Sequence, residues 1–66
     1  MIAQYSKEMY DALDYFERNV SKLAYVGFIE REPKESWKKG YYFTNGKAND
    51  MFRAFLAGIN YGMDML

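Results

Sequence analysis

The stretch SWKKGYYFTNGK, residues 36–47, gathers one tryptophan, two tyrosines, a phenylalanine and three lysines, with no acid among them. These residue types suit one chemistry above all, the non-covalent grip. Bases stack on aromatic rings beside lysines in proteins that hold single strands. The same large, stiff rings also anchor protein–protein interfaces. A third use is internal, as part of a small core. Trp37, Lys38, Lys39, Tyr41 and Tyr42 are therefore the candidate partner-binding residues. For nucleic acid the pattern is incomplete: the stretch holds no arginine and no RNP-type sequence.

Covalent chemistry lacks its usual groups. The chain has no histidine and no cysteine, which removes the common general bases, thiol nucleophiles and zinc ligands. Ser6, Ser21 and Ser36 have no evident base near them in sequence. Glu30 and Glu32 are close, but Arg31 and Lys34 surround them, as in a solvated loop of mixed charge. Asn45-Gly46-Lys47 belongs to no phosphate-binding loop and is better suited to a turn. The expectation is a protein that is not an enzyme and uses neither cofactor nor metal.

A second feature is Gly58-Ile59-Asn60-Tyr61-Gly62. Each glycine inside a helix costs about 1 kcal/mol relative to alanine. Two glycines one turn apart leave room for another backbone to approach. That backbone is either the first helix of this chain or a second subunit or partner, the remaining reading being a helix that frays or ends at Gly58; Phe55, Gly58, Tyr61 and Gly62 are the candidate oligomer contact. Seven tyrosines and five methionines accompany them. Tyr10 and Tyr15 lie off the apolar stripe of their helix, so one narrow core cannot hold every ring.

The elements that must position these residues are few. With 66 residues the chain is one small domain, which buries only about 60% of its unfolded surface. Small scaffolds gain from disulfides, metals or oligomers, and only the last is open here. Half of the residues are hydrophobic, too many for a disordered tail. The net charge is zero, which argues against a general nucleic-acid binder. Charge is nevertheless uneven: residues 33–47 hold Lys34, Lys38, Lys39 and Lys47 against Glu35 alone. No apolar run approaches the roughly 18–20 residues of a membrane span, and the first residues do not resemble a signal peptide. Membrane association is not expected, and a cytoplasmic setting is.

Met9, Leu13, Phe16, Val20 and Leu23 are spaced as one stripe of an amphipathic helix, predicted over residues 3–26. Ser6 is a plausible N-cap, although Ile2 and Tyr5 extend the stripe backward. Asp14 and Arg18 have helical i, i+4 spacing. Phe52, Phe55, Leu56, Ile59 and Met63 predict a second helix over residues 47–64, with Asn45 or Asn49 as its cap. Between them, Pro33 to Lys39 reads as a short helix closed by Gly40. Segments 28–31 and 40–44 read alternatively as a small hairpin, in which Tyr41 and Phe43 share one face. The fold class is mainly α, two helices packed as a hairpin with a short central element across 28–44.

Composition and motifs together point to a protein-binding module, a homo-oligomer that acts as a small modulator or inhibitor of a larger protein, of the kind that phages encode. The alternative is a nucleic-acid-binding accessory protein that uses the basic and aromatic stretch 36–47.

Overall fold

The computed structural model describes residues 2–20, 22 and 29–65. It is mainly α, as expected. Helix α1 runs Lys7–Tyr15, continues as a π-helical turn over Phe16–Val20, and is followed by a 3-10 helix, Lys34–Lys39, and by α2, Gly46–Met65.

The first helix starts four residues later than its stripe suggests. Ser6 is extended, and its hydroxyl accepts the amide of Met9 at 3.2 Å, which supplies one of the orphan donors of the first turn. The residue before it, Tyr5, has φ +61°. A non-glycine side chain in that left-handed region breaks the helix. The Tyr5 ring stacks on Trp37 and its hydroxyl donates to the Lys34 carbonyl at 3.0 Å. Those contacts hold Tyr5 outside α1, and so the predicted start at residue 3 is corrected to Lys7. At the other end, the Asn19 side-chain amide donates to the Tyr15 carbonyl at 3.1 Å. This bond competes with the backbone ladder where the wider π turn begins. The expected end of this helix at residue 26 lies outside the described residues.

The middle of the chain takes the short helical form, with one isolated bridge and no strand among the described residues. Pro33 precedes the 3-10 helix, and Gly40 closes it at φ +89° with its amide bonded back to Trp37. On either side of this turn Arg31 and Phe43 form a single antiparallel bridge, with Glu32 N–H donating to Tyr42 O and Thr44 N–H to Glu30 O, each at 2.9 Å. The expected strand alternation fails. Tyr42 and Phe43 are both buried, whereas Tyr41 and Thr44 are exposed. Asn49 explains this: its Oδ1 accepts the successive amides of Tyr42, at 2.6 Å, and Phe43, at 3.2 Å. In a pleated strand neighbouring amides point apart, so no single acceptor could take both.

Asn45 caps α2, its Oδ1 accepting the Ala48 amide at 2.9 Å. Asn49, the other candidate cap, is instead buried one turn inside the helix. The core lies between α1 and α2 and is closed by residues 37–43. Met9, Leu13, Phe16 and Phe52 are fully buried within it. Phe16 meets Phe43 at 5.4 Å and Phe52 at 5.3 Å between ring centroids, and Phe52 meets Tyr42 edge-on at 4.9 Å. The molecule measures 34 × 27 × 17 Å. A body that thin has little inner volume, and much of each helix necessarily faces outward.

Candidate binding surfaces

Trp37 lies inside the molecule, with 3% of its surface exposed. Its indole N–H donates to the Glu32 carbonyl at 3.0 Å, while Tyr5 and Tyr10 pack on the ring at 6.0 and 5.5 Å. The off-stripe position of Tyr10 thereby finds its use. No base can stack on Trp37 unless those two rings move. Tyr42 is likewise buried, and its hydroxyl accepts from Gln4 Nε2 at 3.3 Å. Of the five candidate partner-binding residues, Lys38, Lys39 and Tyr41 remain outside.

Four of the five still meet at one place. Trp37, Lys38, Lys39 and Tyr42 line a cavity of about 350 Å³, completed by Gln4, Gly40 and, from α2, Arg53, Leu56, Ala57 and Asn60. Tyr41 is not among its walls. Arg53 was not singled out in sequence. What links it to the lysines is a glycine: its guanidinium packs on Gly40, with Nε 3.5 Å from the point where a Cβ would stand.

A larger groove, about 540 Å³, runs between α1 and α2. Ile2, Ala12, Tyr15, Phe55, Ile59 and Met63 form its apolar walls, and Glu8 and Asp11 its acidic rim. Tyr15 stacks flat on Phe55 at 6.0 Å yet keeps 57% of its surface exposed. Asp11 also pairs with Lys7 at 2.7 Å; that bond and the nearby carboxylate charge hold the lysine's pKa above its ordinary value.

The candidate oligomer residues border this groove unevenly. Phe55 is in its wall. Gly58 sits about 60° around the helix axis from Phe55, and Gly62 about 60° from Ile59. A Cβ added at either glycine meets nothing within 4 Å among the described residues, so α1 does not pack there. Tyr61 is about 120° around from Phe55 and is 68% exposed.

A third cluster is structural. Arg31 reaches α1 through a two-pronged contact with Glu17, at 2.8 and 3.2 Å, and a bond to Asp14 at 2.8 Å. Asp14 thus serves Arg31 and not its i+4 neighbour Arg18. Burial of this guanidinium works against its charge, but the bonds to Glu17 and Asp14 outweigh burial and raise its pKa.

No helix among the described residues is long and apolar enough to cross a membrane. Comparison with models of known families, with curated proteins and with solved structures returns no match.

Proposed function

We infer that the protein is a non-enzymatic protein-binding module whose first partner is a second copy of itself. The observation that carries this is the groove between α1 and α2, with Tyr15, Phe55, Ile59 and Met63 in its walls and, beside it, a glycine flank unfilled among the described residues. A soluble chain that leaves a contiguous apolar patch uncovered gains by covering it.

A second copy suits the shape of this face. Helix α2 has 20 residues and is about 30 Å long. Paired antiparallel across a two-fold axis near Ile59, two such helices would set Phe55 of one copy against Met63 of the other, and Gly58 and Gly62 would let the backbones close in. Two-fold pairing uses one self-complementary patch twice, the commonest arrangement among oligomers. Glu8 and Asp11 would stay at the wet margin. Tyr41 and Tyr61 would remain open to a larger protein target, the modulator role expected from the sequence.

Sedimentation equilibrium across a wide concentration range tests the reading. The expected mass is twice the 7.8 kDa of one chain. The joint variant Gly58→Ala, Gly62→Ala should shift the equilibrium toward single chains while each chain melts higher, because alanine favours the helix. A wild-type protein that stays a single chain at several hundred micromolar (roughly the range of weak interfaces) would overturn it.

A further inference from the structure

The cavity on the opposite flank of α2 has a different chemistry. Lys38, Lys39 and Arg53 stand around it, and no carboxylate lines it. None of the three cations forms an ion pair among the described residues. Asn60 also lines it, and its Oδ1 is already taken by the backbone amide of Ile2 at 2.8 Å, which leaves the side-chain NH₂ to be used. The Tyr42 hydroxyl accepts from Gln4, which leaves its own proton to donate. Among the described residues Gln4 Oε1 is left without a donor. The valences left over are mostly donors, three of them charged.

Arg53 is exposed and makes no side-chain hydrogen bond among the described residues. Its guanidinium lies over Gly40, with Nε, Cζ and Nη2 all 3.5–3.8 Å from the Cβ position that this glycine leaves empty. A guanidinium so placed has all its donors left for an anion, and its fork matches two oxygens of a phosphate.

We propose that this cavity binds a small phosphorylated molecule, with Arg53 gripping the phosphate and Lys38 and Lys39 balancing its charge. At about 350 Å³ it falls at the lower end of small-ligand sites. A compact anion fits such a hollow, whereas a nucleic-acid strand asks for a continuous groove and open rings; Trp37 and Tyr42 are covered. The site is independent of the self-association proposed above, since Arg53 and Asn60 are on the other side of α2 from Phe55.

Trp37 is the only tryptophan and lines the cavity, so its emission reports occupancy. Pyrophosphate is the probe, titrated at low salt against potassium chloride of equal ionic strength. A saturable change with pyrophosphate alone is expected. Arg53→Gln should weaken it at least about tenfold, as loss of a charged hydrogen bond does, with an unchanged melt. Should that variant fold poorly, the double change Lys38→Gln, Lys39→Gln carries the same expectation. Lys47→Gln, outside the cavity, should bind as the wild type does, and so should the single-chain variant with alanine at 58 and 62.

Three results would overturn the proposal. One is no saturable change. Another is equal weakening by Lys47→Gln, which would mean diffuse charge attraction. The last is a response to a single-stranded oligonucleotide but not to pyrophosphate, which would favour a nucleic-acid surface instead.

Discussion

Asn49 and Tyr42 form a close polar contact in the core: the Asn49 Oδ1 accepts the Tyr42 amide at 2.6 Å, inside the protein. The same side chain accepts the Phe43 amide and donates through Nδ2 to the Gly40 carbonyl at 2.9 Å. One amide thereby ties the whole 40–43 turn to α2 and orients both walls it contributes, the Tyr42 edge of the basic cavity and the Phe43 contact with Phe16.

Replacing Asn49 with leucine keeps the volume but strands those backbone groups. A buried amide without a partner costs about 1–3 kcal/mol, and two are released here. We expect a loss of about 3 kcal/mol in urea unfolding. Since a chain this small has only roughly 3–10 kcal/mol in total, the variant should be marginal. A loss under about 0.5 kcal/mol, the scale of an ordinary surface change, would show that water replaces the clamp.

Two glycine substitutions should have opposite signs. At Gly40 the backbone has φ +89° and the Arg53 guanidinium occupies the adjacent space. Alanine there meets the left-handed penalty of about 1–2 kcal/mol and displaces the guanidinium slightly. At Gly58 there is open space among the described residues, and alanine should stabilise an isolated chain by up to about 1 kcal/mol. Thermal melts of Gly40→Ala and Gly58→Ala at equal, low concentration decide it. A loss at both positions would mean that Gly58 faces a contact within its own chain.

What could be seen in the sequence was what repeats locally. Met9, Leu13 and Phe16 announce a buried stripe at helical spacing, and the structure buries all three. Ser6, Asn45 and the Pro33–Gly40 frame mark ends through bonds that span three or four residues. Long-range partners leave no such trace. Asn49 has the same composition signature as a cap, and only the return of residues 40–43 gives it a different task. Tyr10 looks surplus until Trp37 arrives from 27 positions away. Arg53 is a lone charge on a polar face until the fold brings Gly40 and two lysines beside it. The candidate stretch was legible as a group of residue types, but which rings turn inward depended on tertiary contacts.

Arg31 gives a prediction about charge geometry. Its fork binds both oxygens of Glu17 and reaches Asp14, so Arg31→Lys cannot restore the two-pronged contact. The group is about one-third exposed, and solvent screening limits the loss to about 1 kcal/mol. A double-mutant cycle with Glu17→Gln measures the coupling. The pKa of Arg31 is raised, so its contribution is fully present below the ordinary arginine value and fades only above it. Stability between neutral and mildly alkaline pH should therefore show no Arg31-dependent slope. A coupling that vanishes in low salt would make the contact incidental.

Trp37 and Tyr41 separate structure from recognition. Both belong to the same aromatic and basic stretch, but Trp37 is buried under Tyr5 and Tyr10 whereas Tyr41 is 54% exposed. Trp37→Ala removes a large core ring and leaves a cavity, a change that costs about 3–5 kcal/mol and should abolish the cooperative melt. Any binding lost with it says nothing about recognition. Tyr41→Ala should leave the melting temperature within a degree or two, as surface changes do. If capture of a protein or nucleic-acid partner depends on the face of this stretch, Tyr41→Ala is the variant that weakens it while the fold stays intact. A folded Trp37→Ala protein with a normal melt would instead place the indole outside the core and return it to the set of recognition residues.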